Sequence, residues 1–158
     1  MMNILKRLHH RAPYLMIDEV VSHNKNALHA KKVVKLSEGF IQGHFPGAPI
    51  VPGAMMQEMT TQAAGLLLAE HYSPVEDYDS EKTKGYALGV LRAIHKAKYK
   101  HFARPNEELN IYVHLLDQLE QSFYFQAHIE VLGKKIMFNE FTLVNISDEW
   151  LLESAPLT

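Results

Sequence analysis

His44 and Glu58 are the side chains whose types and surroundings point to proton transfer. Histidine can take and give a proton near neutral pH, and a carboxyl is a common partner. His44 lies in the run Gly43-His44-Phe45-Pro46-Gly47-Ala48-Pro49-Ile50-Val51-Pro52-Gly53. Three prolines and three glycines in so short a run disfavour regular structure and demand a tight path, so the imidazole can be held in one orientation. Gly53 stands at the start of a helix, where free backbone N–H groups and the dipole favour a developing negative charge. Glu58 falls about one and a half turns inside that helix, where a carboxyl is partly withdrawn from water. A base, an acid and an oxyanion donor in one short stretch suit chemistry next to a carbonyl. Spacing alone leaves plainer readings open: a loop histidine held by a hydrogen bond, and a helical glutamate that is exposed or paired with a cation.

The elements that must position these groups can be read from pattern. Asn3 to His9 suits a short helix. Tyr14 to Val21 and Ala27 to Leu36 carry enough apolar and β-branched residues for two strands. Ala54 to His71 has no proline and is rich in Ala, Leu, Met, Gln and Glu, with Pro52 and Gly53 where a helix begins. It is apolar on most sides, which predicts burial. Tyr72 to Lys84 is polar and charged and is expected to be a mobile loop. Gly85 to Lys100, Leu109 to Leu115, Phe123 to Val131 and Ile136 to Val144 read as strands, the middle two by strict period-two alternation. Leu132-Gly133-Lys134 reads as a hairpin turn. Short connections favour neighbouring antiparallel strands that curl around the one long helix, an α+β arrangement known as the hot-dog fold. The length, 158 residues, suits one domain over 1–158 with one core.

Composition narrows the function. The net charge of −2 gives no reason to expect nucleic-acid binding. With no cysteine, thiolate metal sites, disulfides and cysteine nucleophiles are excluded. The longest clean apolar run, Ala63 to Ala69, is far short of a membrane span, and the N-terminus makes a poor signal peptide, so a cytoplasmic protein without membrane attachment is expected. His9 and His10 are adjacent, but no third ligand stands at metal-site spacing, and no metal is expected. Asp148 to Thr158 is weakly amphipathic.

GHFPGAPIVPG together with Glu58 and Gln62 resembles the recurring pattern of the β-hydroxyacyl-acyl carrier protein dehydratases. Leu8 to Asp18, LHHRAPYLMID, is similar to that family's L-P-H-R-Y-P-F-L-L-I-D. Lys98-Tyr99-Lys100 with Pro105 and Leu109 is a weaker match further on. The family divides by its acidic residue: the Asp branch also isomerises the new double bond, and the Glu branch only dehydrates. Glu58 resembles the second.

The resemblance implies a (3R)-3-hydroxyacyl thioester substrate carried on acyl carrier protein, and no cofactor. His44 would be the general base and Glu58, directly or through a water, would protonate the leaving hydroxyl. The N–H of Gly53 would bind the thioester oxygen, and the carbonyl of Ile50 would fix the His44 ring. Phe45, Pro52, Ile50 and Gln62 would complete the substrate and oxyanion site. His44 of one subunit would work with Glu58 of its partner in a homodimer, with further assembly into a trimer of dimers left open. Met55, Met56, Met59, Phe45 and Leu66 are candidates for an acyl tunnel, although core packing suits most of them equally. Lys96, Lys98, Lys100, Arg104, Lys134 and Lys135 could dock an acidic carrier protein. The chain departs from the pattern where Ala54-Met55-Met56-Gln57 replaces a more apolar V-L-I-x run, where Thr60 and Thr61 replace small apolar residues, at Ala12, where an aromatic is common, and at Asn106-Glu107, which replaces G-D, and this puts the identity of the acyl chain in doubt. Two other readings compete: an acyl thioesterase, which needs a carboxylate but no His44 motif, and a non-catalytic acyl-thioester-binding subunit.

Overall fold

The computed structural model describes residues 1–153. The chain opens with a helical turn, α1 (Ile4–Arg7), capped by the Asn3 side chain. Strands β1 (Glu19–His23) and β2 (Ala27–Val33) come next, then a short α2 (Gly39–Gln42) and the long α3 (Gly53–His71). Four strands complete the sheet: β3 (Tyr86–Tyr99), β4 (Glu108–Leu119), β5 (Ser122–Val131) and β6 (Lys134–Ser147). A last helix, α4, spans Asp148–Glu153, and residues 154–158 of the amphipathic tail lie outside the described residues.

The six strands form one antiparallel sheet in the order β1-β2-β4-β5-β6-β3. Alternation sets its inner face. Leu109, Ile111 and Val113 on β4, Phe123, Phe125, Ala127 and Ile129 on β5, and Met137, Phe141 and Leu143 on β6 are all buried. They close over α3, whose Met56, Met59, Ala63, Ala64, Leu66, Leu67 and Leu68 are buried in turn. This is the antiparallel sheet around one helix that the alternation predicts. No described helix is long and apolar enough to cross a membrane.

One close approach sets the helix on the sheet. Gly89 on β3 has φ +72°, and a Cβ there would stand 3.0 Å from the Cα of Gly65 on α3. Only glycine allows both that backbone conformation and that approach. Its N–H donates to the Asn145 side chain at 2.9 Å.

Two expectations change. The first strand begins at Glu19, not Tyr14. Met16 and Ile17 are buried all the same, in an irregular segment whose Met16 N–H donates to the Gln62 side chain at 2.8 Å. The segment from Tyr72 to Lys84, expected to be mobile, is tied down against α1. Tyr78 is buried and its hydroxyl meets His9 Nε2. Ser80 Oγ donates to the Leu5 carbonyl at 2.7 Å, and Arg7 bridges to Glu70 at 2.6 Å and to the Tyr78 carbonyl.

Candidate active site

The turn from Gly43 to Pro52 holds His44 from three sides. Its Nδ1 lies 3.1 Å from the carbonyl oxygen of Ile50. The Ile50 N–H donates back to the His44 carbonyl at 2.9 Å. The Phe45 ring stacks on the imidazole at 4.2 Å between centroids, across a cis peptide bond. With Nδ1–H donated to Ile50, the lone pair of Nε2 is free to act as a base.

Beside it α3 begins. Pro52 is its N-cap and supplies no side-chain cap bond. The N–H groups of Gly53 and Ala54 head the helix, where no carbonyl four residues back can meet them. A Cβ at 53 would stand 3.1 Å from the Tyr99 ring, close enough that the ring would have to shift by a few tenths of an ångström. His44, Phe45, Ile50, Gly53, Met56 and Tyr99 line one cleft of about 860 Å³, with Lys100, Arg104 and Lys134 around it. Three of the six basic residues singled out from the sequence therefore border the His44 cleft.

Glu58 faces elsewhere. It lines a second cleft of about 550 Å³ with His10, Tyr14, Thr61 and the Tyr86–Leu91 end of β3. Its side chain is 16% exposed. Gln62 Nε2 donates to Glu58 Oε1 at 2.8 Å and to the Tyr14 carbonyl at 2.8 Å. Gln62 Oε1 accepts from Met16 N–H, so the amide is nearly saturated within the chain. Gln62 lines neither cleft. Gln62 thus stands behind Glu58, bonded to it and to the Tyr14–Met16 segment.

Two residues that the sequence motifs leave without a role, His10 and Tyr14, stand beside Glu58. His10 Nε2 is 3.6 Å from Glu58 Oε1, and its ring stacks on Tyr14. Burial holds the His10 imidazole below its ordinary value, against the pull of Glu58. Burial and the neighbouring Glu58 carboxylate together push the Tyr14 phenol up. The LHHRAPYLMID match is the signal for both. Of the tunnel candidates, Met59 and Leu66 are fully buried in the core, while Phe45 is open to the His44 cleft. Among the described residues no group of three or more His, Asp or Glu could hold a metal ion.

Within one chain, therefore, His44 and Glu58 belong to two clefts. These clefts sit at opposite ends of β3: Tyr86 to Leu91 border the Glu58 cleft, and Tyr99 borders the His44 cleft.

A fold and site of this kind define an acyl-thioester enzyme scaffold, and comparison places the chain within it. A FabA-like domain matches residues 8–139, and the chain belongs to that family. The 3-hydroxyacyl-[acyl-carrier-protein] dehydratase FabZ of Shewanella pealeana is 37% identical over 134 residues, 84% of this chain and 83% of that protein. Among solved structures, the dehydratase heterocomplex ApeI:P of Xenorhabdus doucetiae superposes with a TM-score of 0.78 at 21% identity, covering 97% of each chain. A hypothetical thioesterase of Streptococcus pneumoniae, solved with coenzyme A, has a TM-score of 0.59 at 14% identity over 82% of this chain and 85% of that one. The last two show the hot-dog fold alone.

Proposed function

We propose that this chain dehydrates (3R)-3-hydroxyacyl-acyl carrier protein to the trans-2-enoyl thioester in fatty acid or related acyl synthesis, with His44 as base and Glu58 as acid. The observation that carries the reading is the His44 ring, fixed through Nδ1 on Ile50 in the cleft that also holds the exposed start of α3. His44 Nε2 takes the α-proton. Negative charge moves onto the thioester oxygen, where the Gly53 N–H donates to it. As the enolate collapses, the C3–O bond breaks and the hydroxyl leaves as water with the proton of Glu58. The imidazolium and the carboxylate then exchange a proton through solvent and return to their starting states.

The two clefts become one site if two copies pair along β3. That strand is 14 residues long and ends the sheet, so one of its edges is open. Its core-side residues Leu91, Ile94 and Tyr99, opposite the buried Leu143, Phe141 and Met137, are 40, 50 and 48% exposed. An edge strand with bare apolar residues on its inner side invites a second copy. Antiparallel pairing about a two-fold axis sets the Tyr86–Leu91 end of one β3 against the Tyr99 end of the other. His44 of one subunit then shares a site with Glu58 of its partner. The carrier protein, which is acidic, would dock on the Lys100, Arg104 and Lys134 side of this site. Two-fold pairing is compatible with further assembly into a trimer of dimers.

The experiment is hydration of crotonyl thioester, measured as loss of enoyl absorbance. His44→Ala and Glu58→Gln should each lose at least about 100-fold while remaining folded. Mixing the two inactive variants after subunit exchange should restore roughly a quarter of wild-type activity, because half the dimers then carry one intact site. No recovery on mixing would mean that each chain works alone. Thioester cleavage without hydration would make the protein a thioesterase.

A further inference from the structure

Tyr14 carries a phenol where the family pattern L-P-H-R-Y-P-F-L-L-I-D has a phenylalanine. The hydroxyl is thus a departure of this chain from the pattern, in the segment that docks on α3. Its surroundings set it beside Glu58. The Tyr14 carbonyl accepts from Gln62 Nε2 at 2.8 Å, and the same nitrogen donates to Glu58 Oε1 at 2.8 Å. One amide therefore ties the Tyr14 backbone to the carboxyl. The Tyr14 ring stacks on His10 with centroids 5.9 Å apart and an angle of 29° between planes, and His10 Nε2 lies 3.6 Å from Glu58 Oε1. Burial, then the Glu58 charge and a hydrogen bond between the two side chains, push the Tyr14 phenol up, so it keeps its proton at neutral pH. Tyr14 and Glu58 line the same cleft of about 550 Å³. Tyr14 is 48% exposed and the Glu58 side chain 16%, so the phenol is the more accessible of the two.

The chemistry of the leaving group gives that phenol a task. As a C3–O bond lengthens, negative charge gathers on the departing oxygen, and fixed donors aimed at it lower the barrier. A hydroxyl oxygen has two lone pairs. Glu58 protonates one of them. A second donor within reach of the Glu58 carboxyl, in the same cleft and held from behind by Gln62 and His10, is placed to meet the other.

We propose that Tyr14 is a further catalytic residue, whose phenol O–H donates a hydrogen bond to the 3-oxygen of the hydroxyacyl thioester while Glu58 protonates that oxygen. The inference rests on the dehydratase reading. When the substrate seats its 3-hydroxyl against Glu58, the phenol turns from the carboxyl to that oxygen. The electron pair of the C3–O bond leaves with the oxygen, the proton comes from Glu58, and water departs. Tyr14 keeps its own proton throughout.

Tyr14→Phe tests this with the least disturbance, because it keeps the ring, the stack on His10 and the carbonyl that Gln62 meets, and removes one O–H. Dehydration of 3-hydroxybutyryl pantetheine thioester should lose roughly tenfold or more in kcat with KM little changed, the scale of one hydrogen bond to a developing charge. Exchange of the α-protons of butyryl thioester with deuterated water, which uses His44 and Gly53 but no leaving group, should be unchanged. The variant Tyr14→Phe/Glu58→Gln separates direct contact from action through Glu58. A phenol that touches the substrate oxygen still matters once the acid is gone, so the double variant should fall roughly tenfold below Glu58→Gln alone. An unchanged kcat in Tyr14→Phe, an equal loss of α-proton exchange, or a loss that disappears in the Glu58→Gln background overturns the proposal. Wild type that dehydrates while Tyr14→Phe matches it removes the tyrosine and leaves the dehydratase standing. Wild type that exchanges α-protons but dehydrates nothing sinks the dehydratase reading, and the role of Tyr14 falls with it.

Discussion

The two clefts hold their key side chains by opposite means. His44 is fixed by backbone: a turn with three prolines carries it, and the Ile50 carbonyl orients it from six residues away. Glu58 is fixed by side chains brought from afar: Gln62 grips it while anchoring the Tyr14–Met16 segment, and His10 stands beside it. A local turn forms its geometry from its own sequence. The Glu58 cleft exists only once the N-terminal segment has docked on α3. The first should tolerate changes elsewhere in the chain, and the second should not.

The largest effect should come from separating the clefts. Leu91→Lys/Ile94→Lys puts two charges on the bare inner side of the β3 edge, a device by which natural edges repel partners. The variant should sediment as a monomer with far-ultraviolet circular dichroism intact. Its hydration activity should fall at least about 100-fold, as if an acid or base had been lost. An active monomer would return both residues to one chain.

Next comes the grip on Glu58. Gln62→Leu strands the Met16 N–H and the Tyr14 carbonyl, each at a cost of about 1–3 kcal/mol when buried. Melting temperature should drop, and kcat should fall by roughly tenfold with KM little changed, because Glu58 loses its orientation. A variant that melts lower yet keeps its kcat would leave Gln62 as a structural residue only.

Gly53→Ala perturbs the other cleft more gently. The new Cβ would press on the Tyr99 ring at 3.1 Å, and that ring lies at an open edge where it can yield by a few tenths of an ångström. A few-fold loss in kcat/KM with nearly unchanged melting is expected, and Gly53→Ala/Tyr99→Leu should recover most of it.

The same contrast explains what the sequence makes legible. GHFPGAPIVPG and Glu58 lie in one continuous stretch, so the turn, the helix start and both acid–base candidates can be read together. The long strands alternate strictly, and the sheet can be built from them. Long-range partners are harder to read. Met16 and Ile17 look like a strand because they are buried, but a glutamine side chain, not a neighbouring strand, bonds the Met16 backbone. The polar composition of Tyr72 to Lys84 suggests motion, whereas Tyr78 and Ser80 pack on α1 and its flank through contacts more than sixty residues apart in sequence. Asn139 falls on the apolar face between Met137 and Phe141, but nothing in one strand reveals that Gln57 and Thr60 meet it.

The smallest effect concerns acidity, and it too should separate the clefts. Burial holds His10 below its ordinary value of 6.5 in the folded chain, so it stays neutral at pH 7 beside Glu58. The unfolded chain takes up a proton at this residue as pH falls through about 6.5, and the folded chain does so only at lower pH. Between those two values the unfolded state holds more protons. Stability is therefore full above the unfolded value and is lost as pH falls from there toward the folded one. Lowering the pH from 7 to about 5 should reduce the melting temperature of wild type by a few degrees more than that of His10→Gln. His9, His71 and His128 are held down by burial in the same direction, so the variant should flatten the slope without abolishing it. A slope identical in both proteins would mean that His10 is already free to charge beside Glu58, and that the docked N-terminal segment does not shield this cleft from acid.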